Sequence, residues 1–297
     1  MTDPEVSVLM PVYNGERYLR EAINSIINQT FQNFEFHIIN DGSTDKSHSI
    51  LRSINDPRII VHEQRNKGLP FSLNKAIRLS QGEYIARMDA DDISMPNRLE
   101  IQKAFLDSNP EIGLCGSWVI KFGNGKEEIK ELPIYHNDIF AHFLFTSLIP
   151  HPSIMVRREI LKQFGLCYNE KLFGAEDIDL WIRLAKRTML YNIPVPLLKY
   201  RTHLSQKSVN KQELLNKDIY SVIGNLLSRL RIDLKYQDFL ILRKSWELKQ
   251  KFSQKEIQDL FKICLFIYRR NLRYKVFENK ALLRTLLFRC FCALRTL

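Results

Sequence analysis

The stretch VSVLMPVYNGERYLREAINSIINQTFQNFEFHIINDGSTDKS, Val6 to Ser47, carries two rounds of one alternating pattern. VSVLMPV is an unbroken apolar run of strand length, and YNG closes it with turn residues. In ERYLREAINSIINQT, residues Tyr18, Leu19, Ala22, Ile23, Ile26 and Ile27 fall on one helical stripe. FEFHIIN, Phe34 to Asn40, is a second strand, DGSTDKS a turn, and SHSILRSI the next helix. The pattern continues with a strand in RIIVHE, a helix in FSLNKAIRLS closed by Gln81-Gly82, and a fourth strand in EYIARM. Strand and helix alternating over about a hundred residues predict a mostly parallel sheet with helices on both faces. Right-handed crossovers place the strand C-termini along one edge, where ligands bind in such sheets. The polar clusters YNG, NDGSTD and DADD all fall at those ends.

The third cluster is electrostatically costly. MDADD puts Asp89, Asp91 and Asp92 within four positions, and three carboxylates this close need water or a cation between them. On extended backbone Asp89 and Asp91 point the same way. Carboxylates suit Mg²⁺ or Mn²⁺, which keep waters and bind phosphate oxygens as further ligands. The alternative is a turn of helix-capping residues, with Asp92 and Ser94 placed to cap a helix from about Pro96. Asp41 of NDGSTD is placed to contact a nucleotide base or ribose, or to belong to a plain βα turn. Glu176 and Asp177 in GAEDIDLW supply a second acidic pair, suited to a general base or to a helix N-terminus. His203 in YRTH is a metal or phosphate contact or an ordinary histidine, and His151 in PHPS is read the same way. The glycines match neither a dinucleotide fingerprint nor a P-loop.

Beyond the first hundred residues, IGLCGSWVIKFGNG predicts a strand and hairpin, HPSIMVRREILKQFG a strand and helix, and AEDIDLWIRLAKR an amphipathic helix. A sheet-bearing domain over residues 1–211 is expected to give way to a helical, basic region over 212–297. The net charge is +11, and residues 261–297 hold nine Lys or Arg against Glu278 alone, +8 of that total. With aromatic and aliphatic residues interleaved, this segment predicts an interfacial helix on an anionic membrane surface. A solvated basic subdomain is the alternative, and no recognised motif supports nucleic-acid binding. Five scattered cysteines fit free thiols in a reducing compartment rather than a disulfide framework. No secretory leader and no membrane-spanning run are apparent, so a cytoplasmic protein is expected, peripheral on the inner face of the plasma membrane.

Taken together, the Val6–Ser47 stretch, YIARMDADD, AEDIDLWIRL and KYRTHLSQKS resemble, in order and spacing, the family-2 glycosyltransferases. RNKGLPFSLNKAI and MVRREIL are similar in particular to the bacterial enzymes that add β-1,3-linked N-acetylglucosamine to lipooligosaccharide. The resemblance covers about residues 5–210. It implies an α/β A-type glycosyltransferase fold, a UDP-sugar donor, a Mn²⁺ or Mg²⁺ ion, inversion at the anomeric carbon, and a glycan or glycolipid acceptor such as a lipopolysaccharide or capsule precursor. It implies that backbone around Pro11, Val12 and Tyr13, with Asp41, holds uracil, and that Asp89 sits by ribose or metal. It further implies Asp91 as metal ligand, His203 near metal or diphosphate, and Arg65 and Lys67 as donor contacts. Asp177 becomes the base, with Glu176 beside it. The Gln-x-x-Arg-Trp motif of processive members is absent, since the chain has no Arg-Trp pair, which points to transfer of single residues. A nucleotidyltransferase, or an inactive glycan- or membrane-binding module, are the rival readings. The first lacks its glycine-rich loop here, and the second would have lost the acids.

Overall fold

A computed structural model of the chain describes residues 3–123, 125–172, 174–203, 212–246 and 250–296. Its first part runs β1 (Val6–Val12), α1 (Leu19–Ile27), β2 (Phe34–Asp41), α2 (Ser47–Arg52), β3 (Ile59–Gln64), α3 (Leu69–Leu79) and β4 (Tyr84–Arg87). The four strands pair in parallel in the order β3-β2-β1-β4, with Val6 in register with both Phe34 and Tyr84. β1 and β2 read as continuous apolar runs because both of their faces are covered. Val6, Val8, Met10 and Val12 of β1, with Phe34, Phe36 and Ile38 of β2, enter one core. Leu9 and Ile39 enter the other, the two-residue alternation of a pleated strand.

The second part contains β5 (Ile93–Ser94), α4 (Arg98–Ser108), β6 (Ile112–Phe122), β7 (Glu128–Lys130), α5 (His136–His142), β8 (Met155–Arg157), α6 (Arg158–Gln163), α7 (Glu176–Leu184) and β9 (Met189–Arg201). The expected hairpin is β6–β7. β8 inserts antiparallel between β4 and β6, β9 lies parallel to β6, and the sheet order becomes β3-β2-β1-β4-β8-β6-β9-β5. β5 follows β4 closely in sequence, yet it pairs with β9 at the far side of the sheet, Ile93 opposite Lys199 and Ser94 opposite Leu198. The segment 88–92 therefore crosses the C-terminal edge and meets the end of β9.

Four helices follow: α8 (Gln212–Ser228), α9 (Tyr236–Lys244), α10 (Gln254–Tyr274) and α11 (Asn279–Leu294). Leu226, Leu227, Phe239, Leu260 and Leu286 share one apolar core with Trp181 of α7 and Leu9 of β1. Ser253 and Glu256 form a reciprocal capping box at the start of α10. The turn into α11 is closed by Asn271, which donates to the Phe277 carbonyl (3.0 Å) and accepts from its N–H (2.9 Å). The expected boundary near residue 211 lies outside the described residues.

Gly42, just after β2, has φ +73°, and a Cβ there would lie 2.7 Å from the Asn66 backbone nitrogen. A side chain is thus excluded by both backbone conformation and space. Gly42→Ala is expected to lower stability by about 1–3 kcal/mol, read as a lower urea midpoint with an unchanged slope.

Candidate active site

The loops at the strand ends are laced to one another by side chains rather than left to solvent. Asn14, in the left-handed conformation, donates its N–H to Ser43 Oγ (3.0 Å) and accepts the Thr44 N–H on Oδ1 (2.8 Å). Gly15 N–H donates to Ser47 Oγ (2.9 Å), and Glu16 N–H to Asp45 (2.9 Å). Asp41, buried at the end of β2, accepts from Gln64 Nε2 and Lys67 N–H at 2.8 Å and from Gly68 N–H at 2.9 Å. Its carboxylate thereby shapes the loop that carries Arg65 and Lys67, both exposed. Of the expected nucleotide contacts on β1, the Val12 side chain is core, Pro11 is half-buried and Tyr13 is exposed.

Asp89, Asp91 and Asp92 each place a carboxylate oxygen within 4.8 Å of the others. Their holders come from distant segments. Arg87, which ends β4 with a side chain 3% exposed, pairs with Asp89 at 2.5 Å. His203 Nε2 lies 2.9 Å from Asp91 Oδ2 and its ring packs against Tyr18. Arg201 donates Nε–H to the Asp91 carbonyl (2.7 Å) and its backbone N–H to Asp92 Oδ1 (2.8 Å). From α4, the fully buried Arg98 donates to the Arg87 carbonyl (2.8 Å) and the Ile154 carbonyl (3.1 Å), fixing the strand end beneath the acids.

Two expectations are corrected here. Asp92 caps no helix: it is buried, bound to Arg201, and its Oδ2 has no hydrogen-bond partner. Burial, reinforced by the charges of Asp89 and Asp91, pushes its carboxyl well above the usual range. Ser94 does not cap α4 either. It lies in β5, its Oγ accepts from Gln29 Nε2 (3.1 Å), and the N-cap of α4 is Asn97. An all-oxygen cluster of this kind, with one buried oxygen unsatisfied, fits a hard divalent cation.

Glu176 and Asp177 open α7 within range of Arg87, whose charge acts on both. Glu176 is buried with Oε2 unpartnered, and burial raises its carboxyl. Asp177 is pushed up to about 7, by burial first and by the Glu176 charge second. Its Oδ1 accepts the Ile178 N–H (2.7 Å). Beneath them Tyr168 OH and His151 Nε2 lie 2.8 Å apart, and the His151 ring meets Trp181 edge-on. His151 is a packing residue, held neutral by burial, and not a ligand of the aspartate cluster. Arg87 and Arg201 escape a motif-by-motif reading. The available signals are an arginine ending an otherwise apolar buried strand, and another two residues before His203.

Comparison with known proteins shows the family. The family model for glycosyl transferase family 2 matches residues 7–165. The chain belongs to glycosyltransferase family 2. An uncharacterised glycosyltransferase of Methanocaldococcus jannaschii is 37% identical over 261 residues, covering 85% of this chain and 83% of that protein. The O-antigen biosynthesis glycosyltransferase WbnJ of Escherichia coli is 35% identical over 217 residues, 70% of this chain and 83% of that one. Among solved structures, residues 1–349 of Staphylococcus aureus TarS bound to UDP-GlcNAc superpose with TM-score 0.65 at 19% identity, covering 97% and 90% of the two chains. The mannosyltransferase PcManGT of Pyrobaculum calidifontis, bound to GDP-Man and Mn²⁺, gives 0.54 at 18% identity, covering 99% and 75%. The glycosyltransferase therefore has the A-type fold.

The raised Asp177 carboxyl has a consequence for the enzyme's stability. Between the ordinary value of 3.8 and about 7, the folded state holds a proton that the unfolded state has released. Stability therefore falls as pH rises through that window. Asp177→Asn is expected to exceed wild type in melting temperature already at pH 5 and by more at pH 8. Equal melting temperatures at both pH values would refute the raised carboxyl.

Proposed function

We propose that this enzyme transfers a single N-acetylglucosamine or related hexose from a UDP-sugar to a hydroxyl of a cell-surface glycan precursor, with inversion and with Mn²⁺ or Mg²⁺ bound. The observation carrying the reading is the pairing of an oxygen-only aspartate cluster within 4.8 Å with a carboxyl poised at about 7, both in reach of one buried arginine. The UDP-GlcNAc complex of TarS and the O-antigen role of WbnJ support the donor and acceptor classes, and the PcManGT complex supports the ion.

In this reading Asp91 and Asp89, with His203, hold the ion, and it supplies Lewis-acid neutralisation of the departing diphosphate. The chain's own residues do the rest. Backbone at Pro11, Val12 and Tyr13, with Asp41, seats the uracil, while Arg65 and Lys67 reach the donor from their loop. Arg87 holds Asp89 in place. Asp177 takes the proton from the acceptor hydroxyl as its oxygen approaches the anomeric carbon from the face opposite the diphosphate, and Glu176 orients acceptor or base. A base near neutrality matches its task, since enough of it is ionised at working pH while it remains basic enough to take the proton. Residues 1–211 form the catalytic domain, and the basic helical region 212–297 attaches it to the inner face of the plasma membrane, where lipid-linked acceptors lie.

The test is UDP release from a panel of nucleotide sugars with and without Mn²⁺. Asp91→Asn is expected to abolish metal-stimulated turnover, and turnover indifferent to metal would sink its role. Asp177→Asn is expected to lower kcat by about 10²–10⁴-fold with donor KM little changed; near-normal kcat would remove it as the base.

A further inference from the structure

The helices α10 and α11 form a hairpin with a composite outer face. Leu265, Phe266, Leu287, Phe288 and Phe291 are each at least 50% exposed, although an ordinary surface scatters such residues singly. Between the helices runs a groove of about 290 Å³ lined by Phe261, Cys264, Leu265, Leu283, Leu287 and Cys290. Basic side chains share the outer face with these residues: Lys262, Arg269 and Arg273 on α10, Lys280 and Arg295 on α11 or at its end, all exposed. No acid occurs in 261–273 or in 280–295. The inner faces are consumed by the core, with Leu260, Ile267, Leu282 and Leu286 buried, so the outer rows are not needed to hold the hairpin together.

We infer that this face inserts into the acyl region of an anionic leaflet, with lipid chains seated in the α10–α11 groove and the long basic side chains reaching back to the phosphates. The inference rests on the membrane attachment proposed above and goes further, since attachment by charge alone leaves side chains at the water boundary. Charge selects the occupant. A second copy of the chain would bring two faces of net positive charge together, since Asp259 and Asp138 offset only Lys262 and Arg284, and a nucleic acid would leave the apolar residues uncovered, whereas an anionic leaflet satisfies both at once. The hairpin lies in the membrane rather than through it: among the described residues no helix is long and apolar enough to cross.

Flotation of the full chain with vesicles of phosphatidylcholine alone, or with a third phosphatidylglycerol, tests this together with Phe288→Trp and Leu287→Glu. Both sites are surface positions, and circular dichroism and UDP release check that the variants fold. The chain should float with the anionic vesicles only. The fluorescence of the introduced tryptophan, taken as the difference between Phe288→Trp and wild type, should be quenched by brominated acyl chains, and Leu287→Glu should cut the bound fraction at least fivefold. Flotation without acyl-chain quenching, and indifferent to Leu287→Glu, overturns insertion and leaves attachment by charge standing. Failure of the wild type to float overturns both. A concentration-dependent dimer abolished by Leu287→Glu, without flotation, assigns the face to a second copy and also overturns the inference.

Discussion

Arg87 ends β4 with a positive charge that solvent barely reaches, and a charge so placed is tolerated only when counter-charges stand against it. Asp89 supplies one by direct contact, while Asp92, Glu176 and Asp177 act on it through low-dielectric surroundings. The dependence is mutual. Without the guanidinium, the two acidic clusters would face each other across the C-terminal edge of the sheet with no buried cation between them. Arg98 completes the arrangement from below by gripping the carbonyl of Arg87 itself. Its guanidinium also donates to Gln102 and to the Ile154 carbonyl, while burial lowers it to about 10. A pair of buried arginines, in a chain that is basic overall, thus makes room for two clusters of acids at one edge of the sheet.

The topology decides which segments share that edge. Were β5 to continue beside β4, the aspartates would form an ordinary loop at the edge of the parallel half-sheet. Because β5 instead joins β9, the segment is stretched over the strand ends and handed to Arg201 and His203. The same crossing leaves Asp92 buried and short of one partner. That is an expensive state for a carboxyl in a finished fold, and one a cation relieves.

How far the sequence discloses all this depends on the range of the interaction. β1, β2 and β4 are legible because strands covered on both faces read as unbroken apolar runs, and α1 because its buried residues keep the helical period. The acids themselves are legible through their spacing. Their holders are not: Asp92 and Ser94 look like caps when only neighbours are considered, and the residues that claim them, Arg201 and Gln29, lie more than sixty positions away. Arg87 is hidden differently, since a lone arginine closing an apolar strand looks like its solvent-exposed end. In α11 the apolar residues are so many that no stripe stands out. Only packing divides Leu286, which is core, from Leu287, which is not.

The site and the hairpin follow one rule about where a polar or apolar group can be left unsatisfied. In most of the chain the cores absorb apolar surface and hydrogen bonds absorb buried polar atoms. At the sheet edge the exceptions include Asp92 Oδ2, Glu176 Oε2 and Arg87 Nε, together with a carboxyl at Asp177 held far from its ordinary value. On the hairpin the exceptions are carbon, left in water by helices whose inner faces are already full. Each exception costs folding free energy that the isolated chain does not recover, since stability is a small difference between large terms. A protein keeps such costs where a second molecule removes them. In the proposed reading an ion-bearing polar donor removes the cost at the strand ends, and a hydrocarbon surface removes the cost at the α10–α11 hairpin.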